Sequence, residues 1–93
     1  MDADAAIAIL EDEGCTSPRR WSNGPGDRYG RHDHGYHKLL FCLEGSIVFH
    51  LDDGDVELQA GDRLYIHAGI DHAATVGASG CACIEGSSSP PGS

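Results

Sequence analysis

Residues 30–45 of the chain read GRHDHGYHKLLFCLEG, and residues 61–72 read GDRLYIHAGIDH. In the first stretch His32 and His34 lie two residues apart on a predicted strand, and residues at that spacing point to the same face of a strand. In the second stretch His72 follows a glycine-containing turn and opens a later predicted strand. Three neutral imidazoles on the inner wall of a barrel would form a facial site for a divalent metal, with open positions for a substrate.

The residues around these two stretches predict short strands separated by turns. Apolar and polar residues alternate on both sides of the hairpin signal Asp52-Asp53-Gly54. Gly45 is expected to end one strand, and residues 77–80 are expected to form a turn between two others. The predicted strands cover residues 36–44, 46–51, 55–59, 63–66, 72–76 and 81–85. Short strands at a spacing of about 8–10 residues are typical of an all-β sandwich or barrel.

The two ends of the chain differ in composition from this central region. Residues 2–13 are rich in alanine and predict a short helix that Gly14 ends, and Arg19–Trp21 is a candidate short strand. The predicted organisation is therefore a helix and lead-in segment over residues 1–25, a barrel over 26–85, and a flexible Gly/Ser/Pro-rich tail over 86–93.

Composition excludes several classes of partner. The 93 residues include 15 acidic and six basic side chains, for a net charge of −9, which disfavours nucleic acid and anionic membranes as partners. The apolar runs are too short to cross a membrane, and the acidic N-terminus is unlike a signal peptide. We therefore expect a cytoplasmic protein, with its four cysteines reduced and packed as small apolar residues.

Two signatures in the sequence resemble those of the cupins. Residues 30–45 resemble the first cupin signature, in which a Gly, two spaced His, a Glu and a final Gly occur in this order, and residues 61–72 resemble the second, in which a Pro-x-Gly turn precedes a His. The resemblance covers about residues 26–85 and implies a small antiparallel jelly-roll β-barrel, often paired as a homodimer. It also implies that His32, His34 and His72 hold a divalent transition metal: Fe, Mn, Ni, Cu or Zn.

The sequence departs from the cupin pattern at three positions. Lys38 occupies the place of the Glu, His67 that of the Pro, and Val76 that of an Asn often found after the second signature. Only the change at Lys38 alters the predicted chemistry, because an ammonium donates no lone pair to a metal and repels the cation.

Three arrangements are compatible with a lysine at this position. In the first, the three histidines bind metal while Lys38 is turned away or is deprotonated by burial. In the second, His37 supplies a fourth nitrogen, although its side chain is expected on the opposite face of the strand. In the third, Lys38 takes the place of the metal and the pocket binds anions without any cofactor.

Strand parity predicts which side chains line the pocket and which need a cover. Residues that share the parity of Lys38 point inward: Tyr36, Leu40 and Cys42. Ala74 is expected beside His72, with Leu64 and Ile66 as an apolar floor. Leu39, Phe41 and Leu43 point outward, so they need a cover from the N-terminal helix, from the Trp21 segment or from a second subunit. The last option makes a homodimer a physical expectation as well.

Two functions are compatible with these residues. The first is a cupin metalloprotein with oxidoreductase activity of the dioxygenase type on a small anionic substrate, since cupin-like enzymes with three histidines, such as thiol dioxygenases, exist. In this function Lys38 and Tyr36 are the candidate catalytic residues, and Lys38 would orient the anion or act as an acid or base. The alternative is a non-catalytic cupin that binds or senses a small molecule, with Lys38 replacing the metal.

Overall fold

The structure, a computed structural model, describes residues 1–89 of the chain. This part contains one helix and six strands. The helix is α1 (Ala3–Asp12), and the strands are β1 (Thr16–Asn23), β2 (Arg28–His32), β3 (His37–Leu51), β4 (Gly54–Gln59), β5 (Arg63–Ile66) and β6 (His72–Ser88). The prediction of an all-β antiparallel barrel of jelly-roll type with a short N-terminal helix is confirmed. Within residues 1–89, no helix has the length and apolar character needed to cross a bilayer.

Strands β3 and β6 are the two long strands on which the others are built. They pair antiparallel along their whole length, from His37 opposite Ser88 to Leu51 opposite His72. Each of the four shorter strands pairs with one half of β3 or β6. This arrangement brings β2 and the start of β6 together at one end of the barrel, where His32 is the register partner of His72.

Gly45 lies inside β3, so the prediction that this glycine ends a strand is wrong. The register between β3 and β6 shifts on both sides of Gly45, which is typical of a β-bulge. Gly45 has a φ of 72°, and a Cβ at this position would overlap the carbonyl of Gly80. A glycine can therefore bend a strand here without interrupting it.

Residues 77–80 also lie within a single strand, contrary to the prediction of a separating turn. Val76 is opposite Ile47 and Cys81 is opposite Gly45, so these four residues face one residue of β3, Ser46. They form a wide irregularity in β6, and pairing with β3 resumes in the same direction on both sides of it. Gly80, with a φ of 78°, provides the positive φ that this bend requires.

The helix α1 covers the outer face of the first half of β3. Asp2 caps the helix by accepting a hydrogen bond from the backbone N–H of Ala5 at 2.8 Å, and Gly14 follows its end with a φ of 80°. The predicted parity of β3 is confirmed, since its outward-facing apolar residues form a cluster with the helix, which consists of Ala6, Leu10, Cys15, Leu39, Phe41, Leu43 and Ile84. The Trp21 segment does not cover this face, because Trp21 packs against the inner cluster, which consists of Leu40, Cys42, Ile47, Phe49, Leu58, Ile66, Ala74, Val76, Cys81 and Cys83.

The barrel extends beyond both of its predicted boundaries. β1 pairs with β6 from Thr16 to Asn23, so most of the predicted lead-in segment belongs to the sheet. At the other end β6 continues through Gly86 to Ser88, three residues of the segment predicted as a tail. Their Gly/Ser composition does not prevent backbone pairing with β3, and Gly86 leaves space for Cys15 and Leu10. The predicted tail over residues 90–93 lies outside the described residues.

Candidate metal centre

The three histidines predicted as metal ligands meet at one end of the barrel. His32 is the last residue of β2 and lies opposite His72, the first residue of β6. The prediction that His32 and His34 share a strand is wrong, because β2 ends at His32 and His34 lies in the irregular segment before β3. His34 is fixed by the loop that precedes β6, since the N–H of Gly69 donates a hydrogen bond to its carbonyl oxygen at 2.8 Å.

The imidazole rings converge closely enough to share one ion. One ring nitrogen from each histidine lies within 4.8 Å of those of the other two. The ring centroids of His32 and His72 are 4.4 Å apart, those of His32 and His34 are 4.8 Å apart, and those of His34 and His72 are 5.2 Å apart. The chain therefore brings together all three of the predicted metal ligands.

Backbone carbonyls set the tautomers of two of these rings. Nδ1 of His32 lies 2.6 Å from the carbonyl oxygen of Gly30, and Nδ1 of His72 lies 3.0 Å from that of Ile70. Because a carbonyl oxygen only accepts, Nδ1 carries the proton in both neutral rings and Nε2 keeps its lone pair. Metal-binding histidines are commonly oriented by such a hydrogen bond from the second ring nitrogen.

Two buried nitrogens in this group have no partner among the described residues: Nε2 of His34 and Nε2 of His72. His72 is only 1% exposed, so water does not readily satisfy its nitrogen. A buried polar atom without a partner is costly unless a ligand completes it. Imidazole nitrogens suit Zn, Cu, Fe and Ni, so the residues present fit a divalent transition metal.

The surroundings of His34 and His72 favour the neutral imidazole. Burial is the main cause that lowers the pKa of both His34 and His72 below the ordinary value of 6.5. The positive charge of Lys38 lowers both pKa values further, whereas the hydrogen bond to the carbonyl of Ile70 opposes the shift for His72. Neutral imidazole is the form that binds metal, so the site is ready for a cation at neutral pH.

Lys38 faces a carboxylate that the sequence analysis missed. Its Nζ lies 3.5 Å from Oε2 of Glu85, and both side chains are 12% exposed. Oε1 of Glu85 also accepts a hydrogen bond from Nε1 of Trp21 at 2.6 Å. The buried lysine is therefore paired with an opposite charge, which offsets its repulsion of a nearby cation.

The alternation along β6 contains the signal that could have identified Glu85. Cys81 and Cys83 belong to the inner cluster, and Glu85 follows at the same parity. A carboxylate in an inward-facing position of a strand requires a partner, and the neighbouring strands offer Lys38 on β3 and Arg19 on β1.

A cavity of about 210 Å³ contains all of these polar groups. Besides the three histidines, Lys38 and Glu85, its lining consists of Arg19, Trp21, Tyr29, Tyr36, Phe49 and Ala74. Tyr36, the second candidate catalytic residue, is 39% exposed and stacks on His34 with ring centroids 4.8 Å apart. Ala74 lines the cavity as predicted and Phe49 lies beside it, whereas Leu64 and Ile66, predicted as the floor, are not part of the lining.

The remaining candidate ligand lies elsewhere. Nδ1 of His37 accepts a hydrogen bond from the backbone N–H of Ala68 at 2.9 Å, and its ring lies near those of Tyr65 and His67. The structure does not bring His37 to the three-histidine group, because adjacent residues of a strand point to opposite faces.

Comparison with known proteins agrees with this geometry. The family described as "Cupin domain" matches residues 20–82, which is more than half of the chain, and the chain belongs to this family. A stretch of 53 residues, 55% of the chain, is 40% identical to quercetin 2,3-dioxygenase from Bacillus subtilis (strain 168). This stretch corresponds to 16% of the length of that dioxygenase.

Solved structures share the fold at low sequence identity. A cupin superfamily protein from Desulfitobacterium hafniense superposes with a TM-score of 0.71 and 20% identity, over 78% of this chain and 66% of that one. A variant of oxalate decarboxylase from Bacillus subtilis gives a TM-score of 0.71 at 17% identity, over 82% of this chain and 22% of that one. At these identities the likeness concerns the fold.

Proposed function

We propose that the chain binds one divalent transition metal through His32, His34 and His72 and acts as a metal-dependent oxidoreductase of the dioxygenase type on a small anionic substrate. The observation that carries this proposal is the pair of buried, unpartnered Nε2 atoms within a group of nitrogens no more than 4.8 Å apart. One metal ion would give both nitrogen atoms a bonding partner.

The residues around the site support binding of an anion. A metal held by three neutral imidazoles would supply Lewis acidity and open coordination positions to a bound substrate. Lys38 would contribute a positive charge inside the cavity and would orient a carboxylate or a similar group. Tyr36 would cover the mouth of the cavity beside His34 and limit the access of water.

The named relatives agree with this class of chemistry. One is a dioxygenase and another is a decarboxylase of oxalate, a small anion. Each is matched over a small part of its length, so the activity of this chain is argued from its own cavity.

The first test is the metal content of protein purified without chelators or a nickel column. We expect close to one equivalent of a transition metal in the wild type and a loss of most of it in His34→Ala, because that change removes one ligand. His67→Ala is the matched control, since His67 is exposed and lies with Tyr65 outside the site. Equal metal content in the two variants would contradict the proposed ligand set.

The second test is oxygen consumption by the metal-loaded protein with small carboxylates and thiols. Turnover that is lost in His34→Ala and retained in His67→Ala would support the oxidoreductase. Stoichiometric metal with no oxygen consumption for any substrate would limit the function to ligand binding.

The alternative function, a binding protein in which Lys38 replaces the metal, has one observation in its favour. Lys38 occupies the position at which cupins carry a metal-binding Glu, and its side chain is largely buried beside the histidines. Glu85 opposes this alternative because it neutralises the charge that would exclude the cation. Protein that contains no metal and takes up none when metal is added would favour the alternative.

A further inference from the structure

Glu85 occupies a central place in the wall of the cavity. Its Oε1 is bound by Trp21, while its Oε2 lies 3.5 Å from Nζ of Lys38 and 4.0 Å from Nη2 of Arg19. These contacts fix the carboxylate between one buried cation and one cation at the mouth, since the side chain of Arg19 is 74% exposed.

The charges of this wall add up to one positive charge. Lys38 and Arg19 each contribute one positive charge, and Glu85 contributes one negative charge. An ammonium has three N–H donors, and the contact to Glu85 occupies one side of it, so donors remain for a ligand. A carboxylate on the ligand would pair with Lys38, whereas a second carboxylate beside this pair would meet the negative charge of Glu85.

The rest of the cavity favours a planar ligand. Trp21 and Tyr29 form an edge-to-face pair with centroids 5.8 Å apart, and Tyr36 and Phe49 also line the space. Such ring faces and edges favour aromatic partners. The volume of about 210 Å³ is smaller than the roughly 300–1,000 Å³ of pockets for drug-sized ligands, which points to a single ring.

We propose that the ligand is a small aromatic monocarboxylate and that Glu85 is the specificity-determining residue that rejects dianions. Lys38 binds the carboxylate, the aromatic side chains contact the ring, and Glu85 repels a second negative charge. This inference rests on the proposed function only in using the same cavity, because the residues that carry it are not the proposed metal ligands.

The test is the ratio of the affinities for benzoate and isophthalate, measured by titration calorimetry. Isophthalate keeps the ring and adds one carboxylate. We expect the wild type to bind benzoate more tightly than isophthalate, and Glu85→Gln to shift the ratio toward isophthalate by about tenfold, since a unit charge is removed at close range. Glu85→Asp keeps the charge and should restore the wild-type ratio. Glu57→Gln, an exposed site on β4, should leave it unchanged.

Two further measurements keep the proposal falsifiable. Lys38→Gln should weaken benzoate binding by about tenfold, because the cation that binds the carboxylate is removed. Cyclohexanecarboxylate, with the same charge and no aromatic face, should bind more weakly than benzoate. An unchanged ratio in folded Glu85→Gln, or unchanged benzoate binding in Lys38→Gln, would overturn the proposal.

Metal content measured in the same samples separates this proposal from the proposed function. A ratio that depends on Glu85 in protein that binds no metal would support the specificity role and contradict the metal centre. One equivalent of metal together with a ratio that is unchanged in Glu85→Gln would support the metal centre and contradict the specificity role.

Discussion

Lys38 and Glu85 show how one substitution in a site is offset by a residue on another strand. The lysine stands where the cupin signature has a carboxylate, and a carboxylate faces it from β6 at 3.5 Å. The pair keeps the net charge beside the histidines close to neutral. Its carboxylate comes from β6 and not from the position on β3 at which the cupin signature has one. Removing one member of such a largely buried pair leaves an uncompensated charge, so the two residues are expected to depend on each other.

The histidines make the stability of the metal-free protein depend on pH. His34 and His72 have pKa values lowered by burial, while in the unfolded chain they titrate near the ordinary value of 6.5. As the pH falls through 6.5, the unfolded chain therefore binds more protons than the folded protein. We expect the free energy of unfolding of metal-free protein to decrease between pH 7.5 and 5.5, as measured by urea denaturation.

Two variants assign this pH dependence to the site. His72→Gln should reduce the slope, because it removes one of the two groups with a lowered pKa. His67→Gln lies outside the cavity and should keep the slope of the wild type. Stability that stays constant or increases toward pH 5.5 would contradict the burial of neutral imidazoles.

The helix α1 acts as a cover for the sheet. A helix of ten residues is marginal on its own in water, so its stability must come from packing. Ala6 and Leu10 are fully buried against the outer face of β3, where Leu39 and Phe41 would otherwise be exposed. The helix and the strand therefore stabilise each other.

Truncation of Leu10 tests this packing. We expect Leu10→Ala to lower the free energy of unfolding by about 2–5 kcal/mol, because it leaves a cavity between the helix and the sheet. Ile70→Ala removes a similar aliphatic group from a side chain that is 45% exposed, and it should have little effect. Chemical denaturation of both variants measures the difference. Equal losses of stability would show that α1 is not an essential cover.

The strands were predictable where turn chemistry and alternation agree. The hairpin at Asp52-Asp53-Gly54 and the strand Arg63–Ile66 are found as the sequence indicates. The predictions for Gly45 and residues 77–80 are wrong because glycine is favoured both in turns and in bulges. Only the pairing of β3 with β6 distinguishes the two, and this pairing joins residues far apart in the sequence.

At the scale of the whole molecule, the histidine site was predictable and its charged wall was not. Two signatures with characteristic spacing identify His32, His34 and His72. Glu85 carries no such spacing, and its contact with Lys38 depends on the register that the bulges impose on β3 and β6. The homodimer stays a prediction that rests on family resemblance, since α1 already covers the face that suggested it.

Trp21 is the only tryptophan of the chain, and it lines the cavity with its indole N–H bound to Glu85. The intrinsic tryptophan fluorescence of the protein therefore originates at the site itself. Entry of a ligand replaces water beside the indole, so we expect the emission maximum to shift to shorter wavelength during a benzoate titration. In Lys38→Gln the same shift should require a higher benzoate concentration. An emission maximum that does not change at saturating benzoate would indicate that the ligand binds elsewhere. The chain thus carries a built-in optical probe with which unlabelled compounds can be screened.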